Sequence, residues 1–130
     1  MSRVIAIGVG CRAGVASEAI VALARRALAE AGAPEGELAM FTLAAKAREP
    51  GLVEAARLLR AELTPLPFEA LQAQAGRILT PSAAAQARFG APNIAEAAAL
   101  AGAGDGGRLI GPRLAADGAT CAVALSAGTP

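Results

Sequence analysis

Val4-Ile5-Ala6-Ile7-Gly8-Val9-Gly10-Cys11-Arg12-Ala13-Gly14 is the stretch on which the fold turns. Its opening, Val4 to Ile7, is continuously apolar rather than alternating, the pattern of a strand covered on both faces. The glycines at 8, 10 and 14 then predict a turn from Gly8 to Gly14. After it, Val15 to Ala31 carries Ile20, Leu23, Ala24, Ala27, Leu28 and Ala31 at helical spacing. Gly32 comes next as a C-terminal cap. A buried strand, a glycine-containing turn and an amphipathic helix form the opening of an α/β unit.

The rest of the chain continues the alternation. Beyond the turn Ala33-Pro34-Glu35-Gly36, the run Leu38 to Leu43 reads as a second strand. Lys46 to Gly51 is the next loop, with Pro50 suited to a helix's first position and Leu52, Ala55, Ala56 and Leu59 on one side of that second helix. A third short strand falls in Ala61 to Leu66, and Pro67 opens a helix from Phe68 to Ala75. Thr80-Pro81 starts another from Ser82 to Phe89. Asn93-Ile94-Ala95-Glu96 reads as a capping box for a helix to about Ala101. Gly102 to Gly107 reads as a loop. The end predicts a hairpin, Arg108 to Leu114 and Thr120 to Leu125, about the Asp117-Gly118 turn, with Ser126 to Pro130 a frayed tail. Strands alternating with helices pair in parallel through right-handed crossovers, whereas a hairpin pairs antiparallel. The expected fold is α/β: a three-layer αβα domain spanning residues 1–130, with a mixed, mainly parallel sheet and a C-terminal antiparallel hairpin.

Composition narrows the function. The 130 residues fit one domain, 55% hydrophobic but only 2% aromatic, with no Trp or Tyr. The core must be Ala, Leu, Val and Ile, and few aromatic faces are left to stack bases. Net charge is +1, too weak a field for binding phosphate backbones, so no nucleic-acid partner is expected. There is no His, and Cys11 and Cys121 form no CxxC pair, so neither a metal site nor a cofactor is expected. The two read as reduced thiols of a cytoplasmic protein, with a disulfide between them as the alternative. No apolar run reaches the ~18 residues of a membrane span, and Val4 to Val9 is too short for a signal peptide.

Parallel pairing of the first three strands would bring the loops beginning at Gly8, Ala44 and Pro65 to one edge, where open α/β sheets bind their ligands. The first loop offers Gly8, Gly10, Cys11, Arg12 and Gly14 beside a helix N-terminus, which favours an anion. The second adds Lys46, Arg48 and Glu49. The expectation is a crevice for an acidic ligand. Each residue also has a plainer reading. Gly8 and Gly10 serve a tight turn and close helix packing equally well, and any one of the three cations alone is a solvated surface charge. Cys11 is either a nucleophile of lowered pKa or a small packing residue, and no His stands by as its base. Glu49, ahead of Pro50, is either a ligand-positioning or acid/base group or a favourable charge at a helix start. Gly8 to Ala13 also fits the dinucleotide pattern G-x-G-x-x-G/A. Leu43-Ala44-Ala45-Lys46 stands where the acidic ribose partner belongs, leaving NADP, with Lys46 or Arg48 on its 2′-phosphate, as an alternative.

Gly8 to Gly14 with Ser17-Glu18 resembles the N-terminal signature of the CobE family and of the C-terminal domain of CbiG. Further stretches agree in order: Lys46-Ala47-Arg48-Glu49-Pro50-Gly51-Leu52, then Leu66-Pro67-Phe68, then Ser82 and Gly90-Ala91-Pro92-Asn93-Ile94-Ala95-Glu96-Ala97-Ala98-Ala99-Leu100, and finally Gly118 to Ala124 as a closing strand. The resemblance covers nearly the whole chain. Arg48 departs from it, standing where the family usually has Asp, which adds positive charge and argues against acid/base work there. Val15 replaces a common Thr. The resemblance implies a role in building the corrin ring of vitamin B12, with a precorrin or corrin tetrapyrrole intermediate as ligand and other cobalamin-pathway enzymes as partners. Full-length CbiG-like proteins are associated with opening a lactone on a cobalt-precorrin and releasing acetaldehyde. This chain resembles only their C-terminal part, so an enzyme label does not carry over. Lactone opening or rearrangement, with Glu49 as acid/base or Cys11 as nucleophile, stays as the enzymatic alternative.

Overall fold

Val4–Cys11 is β1 in the computed structural model, which describes residues 4–79 and 93–127. The strand runs past Gly8 and Gly10, correcting the expectation of a turn from Gly8. Alternate residues explain why. Ile5, Ile7 and Val9 enter the larger core on one face, while Ala6 joins a cluster on the other. Gly8 shares the Ala6 face, where a Cβ would lie 1.9 Å from the Ala95 carbonyl oxygen. The glycines thin the strand for a helix instead of turning the chain.

α1, Ser17–Ala31, buries Ile20, Val21, Leu23, Ala24 and Ala27 and ends at Gly32 in the left-handed conformation, φ 63°, as its cap position predicts. β2, Glu37–Leu43, lies parallel to β1, with Val4 opposite Glu37. A short 3-10 turn, Ala44–Lys46, leads to α2, Pro50–Leu58, with Pro50 at its start. β3, Glu62–Leu66, pairs in parallel with β2 as the outer strand of the sheet. α1 and α2 share one face, packing on Ile5, Ile7, Val9, Met40 and Val123.

α3 is shorter than expected, Phe68–Gln72, and a 3-10 turn comes after it at Ala75–Arg77. The predicted helix Ser82 to Phe89, with its Thr80-Pro81 start, lies outside the described residues. α4, Ile94–Ala103, covers the second face and touches β1, β2 and β6. Its interface is built of alanines, Ala95, Ala99 and Ala103 against Ala6, Ala122 and Ala124. The helix runs through Gly102, where a loop was expected, because the Phe41 ring lies where a Cβ would go, 2.2 Å from that position.

The C-terminal strands close the sheet. β6, Ala119–Leu125, pairs antiparallel with β1 from Ile5 opposite Leu125 to Cys11 opposite Ala119. On its other flank, β4, Arg108–Leu109, and β5, Leu114–Ala116, pair with its two ends. The single strand expected over 108–114 is therefore broken, because Arg113 N donates to Glu96 Oε2 at 2.9 Å instead of into the ladder. Asp117 (φ 52°) and Gly118 (φ 85°) make the predicted turn, both left-handed as such a two-residue hairpin needs. Ser126 is tied down: its N–H donates to Val4 O and its Oγ accepts from Val4 N. The expectation of a frayed tail from Ser126 is corrected at that residue, and 128–130 lie outside the described residues. The sheet order is β3-β2-β1-β6-β4, with β5 also on β6, and helices on both faces make three layers.

Candidate functional site

The carboxyl ends of β1, β2 and β3 point the same way, so the segments 12–16, 44–49 and 67–68 meet at one rim. Two contacts join the first two segments. Glu49 Oε1 accepts from Gly14 N at 2.5 Å. The first turn of α2 is pressed on the loop backbone: a Cβ on Gly51 would lie 2.0 Å from Val15 O. Gly14 itself is left-handed (φ 78°), with nothing within 4 Å of a Cβ position, so this glycine serves the turn.

The structure joins Gly14 to Glu49 and sets Cys11 within electrostatic reach of Lys46 and Glu49, while Arg12 lies along the hairpin tip. Arg12 is exposed, its side chain running along Gly118 and its N–H donating to Gly118 O at 2.9 Å. Lys46 is half-buried on the 3-10 turn, and Arg48 is exposed in the same loop. Gly8 and Gly10 stand apart from the loop. Both face α4, with a Gly10 Cβ position 3.5 Å from the Ile94 side chain, so packing accounts for them. The same displacement removes the dinucleotide reading, because those glycines sit inside a strand and not at the strand-to-helix turn where a pyrophosphate would lie.

Cys11 ends β1 half-buried. Burial pushes its thiol above the ordinary value, Lys46 pulls it down and Glu49 pushes it up, with burial the largest cause. A thiol so placed carries little thiolate near neutral pH, contrary to a nucleophile of lowered pKa. Cys11 and Cys121 are both free. Among the described residues no group of three or more His, Cys, Asp or Glu could hold a metal, and no helix is long and apolar enough to cross a membrane.

Two features of the site were not read from sequence. The hairpin tip at Gly118 backs Arg12, which depends on β6 pairing with β1; the hairpin was legible, its neighbour was not. Glu96 is the other. Asn93 Oδ1 accepts from Glu96 N at 3.0 Å, as a capping box requires. The fully buried Glu96 carboxylate reaches farther, accepting from Leu79 N at 2.7 Å and Arg113 N at 2.9 Å. Among the described residues, a pocket of about 110 Å³ beside Ile110 and Pro112 and an open depression of about 530 Å³ beside Pro34 and Gly36 lie away from the rim.

Three parallel strands extended by antiparallel C-terminal strands, with two helices on one face and an alanine-packed helix on the other, define a three-layer α/β fold with a rim of loops at the carboxyl ends of its parallel strands. The chain belongs to the Cobalamin synthesis G C-terminus family, matched over residues 5–124, and is a cobalamin biosynthesis pathway protein. It is 37% identical to Protein CobE of Sinorhizobium sp over 119 residues, 91% of this chain and 77% of that one. The crystal structure of CobE, described as a protein from the cobalamin (vitamin B12) biosynthetic pathway, superposes with a TM-score of 0.87 at 36% identity, covering 96% of this chain and 92% of that chain. The cobalamin biosynthesis protein chiG from Agrobacterium tumefaciens str. C58 gives 0.71 at 38% identity, covering 95% and 99%.

Proposed function

We propose that this protein binds an acidic corrin-ring tetrapyrrole intermediate and holds or presents it to other enzymes of the pathway. The observation that carries the reading is the meeting of loops 12–14 and 46–49 on one rim, joined by the Glu49–Gly14 bond, with Arg12, Lys46 and Arg48 on them. Glu49 offsets one of these three positive charges and leaves an excess. Corrin precursors carry carboxylates around an apolar ring, and charge-assisted hydrogen bonds are worth about 1.5–3 kcal/mol each. Three such contacts offset much of the ~4–15 kcal/mol cost of association. Burial of the macrocycle supplies the net affinity. The two free thiols suit a reducing compartment, so the proposed location is the cytoplasm.

Anaerobic titration with corrin intermediates, followed by absorbance, tests the reading. Binding without turnover is the expected result. A product would make the protein an enzyme on a precorrin, and neither binding nor product would leave a subunit that stabilises another pathway enzyme. Arg12→Ala should weaken binding about fivefold or more, ~1 kcal/mol, with the thermal midpoint unchanged. Equal affinity in the variant would remove the rim from consideration.

A further inference from the structure

The rim has two sides of different chemistry. Toward α1 and α2 lie Cys11, Lys46 and Glu49. Toward α4 lies an apolar cluster in which Leu43, Leu71, Ile94 and Ala97 are buried, while Leu66 and Phe68 pack against it half-buried. Leu66 is the last residue of β3 and Phe68 the first of α3, so both stand at the strand ends and not beneath the sheet. The buried part of this cluster runs beneath the rim. The Ile94 side chain comes 3.5 Å from the Gly10 Cβ position at the end of β1, and Leu43 leads directly into the Ala44–Lys46 turn, which touches β3. Aromatic residues are scarce in this chain, three Phe with no Trp or Tyr. Phe41 is spent on closing α4 over Gly102. Phe68 is the aromatic residue among those described that stands at the rim.

We infer that Phe68, with Leu66 beside it, is the wall against which the guest's ring face rests, so that the site selects a flat apolar polyacid over a ring-free polycarboxylate. The inference builds on the reading that the rim takes an acidic tetrapyrrole. The cations on the neighbouring loops supply the complementary half: carboxylates at the guest's edge meet Arg12 and Lys46 while its face lies on the aromatic ring, an arrangement that favours offset stacking.

The test uses the full chain and two probes, uroporphyrin as a tetrapyrrole polycarboxylate and tricarballylate as a ring-free one. Phe68→Leu should weaken uroporphyrin binding about three- to tenfold and abolish the shift of its main absorption band on binding. Tricarballylate binding and the unfolding midpoint should not change. Phe68→Tyr, which keeps the ring, should restore the spectral shift; where the leucine variant loses stability, Phe68→Met provides the comparison. Uroporphyrin bound with equal affinity and the same spectral shift in Phe68→Leu would overturn the inference while leaving the proposed function standing, and so would an equal loss for both probes, which makes Phe68 a loop support. No tetrapyrrole binding by the wild type would overturn both.

Discussion

A methyl group added at Gly8 would meet the backbone of α4 at Ala95 and Ala99, atoms that cannot rotate out of the way. Gly8→Ala should therefore destabilise the protein by about 3 kcal/mol, the upper part of the overpacking range, read as a lower urea midpoint with unchanged slope. Arg12→Ala, near it in sequence but exposed, should leave that midpoint alone. The two thiols differ in the same way. Burial pushes Cys121 up to about 12 and raises Cys11 less far. Iodoacetamide at neutral pH should then modify Cys11 slowly and Cys121 only in unfolded protein; rapid labelling of Cys11 in the folded chain would contradict the raised thiol. At this scale the sequence misleads where a residue serves two masters. Gly8 and Gly10 look the same whether they admit a phosphate or a helix, and only the position of α4 decides.

α4 ties itself to other elements through one side chain, Glu96. Glu96 binds its own cap region through its N–H and two distant segments through its carboxylate. Glu96→Ala would leave Leu79 N and Arg113 N without that acceptor, and since both bonds are only part-buried a total loss of about 1–3 kcal/mol is expected in urea unfolding. Asn93→Ala, which removes the cap to Glu96 N, should cost about 1 kcal/mol. A smaller effect at Glu96 than at Asn93 would show that water replaces the carboxylate. The element pattern was largely open to sequence reading, since the periodicity of α1, the cap at Gly32, the proline at the start of α2 and the Asp117-Gly118 turn are all set by local chemistry. The missed features, the full length of β1, the break at 110–113 and the reach of α4 through Gly102, are set by contacts between elements far apart in sequence. The same division runs through the candidate site. Parallel strands predicted that loops 12–14 and 46–49 would meet, but not that Glu49 would accept from Gly14.

For the molecule as a whole, Cys121 gives the alkaline limb of stability a definite sign. Its thiol rises in the folded protein from an ordinary 9.0 to about 12. Below pH 9 both states hold the proton and the contribution is complete. Above it the unfolded chain releases the proton first, so stability falls as pH rises, by up to about 1.4 kcal/mol per pH unit over that window. Chemical denaturation between pH 8 and 10.5 should show the decline, and Cys121→Ala should flatten it; identical slopes would rule out this thiol as the cause. The pairing of β1 with β6 also sets an order of events. Gly10 meets Thr120, 110 residues later, across the middle of the sheet, so β1 has one flank open until β6 has been made. Nascent protein stalled before Ala119 would carry a bare apolar ribbon, a natural client for chaperones, and this domain is expected to complete its fold only once β6 has emerged.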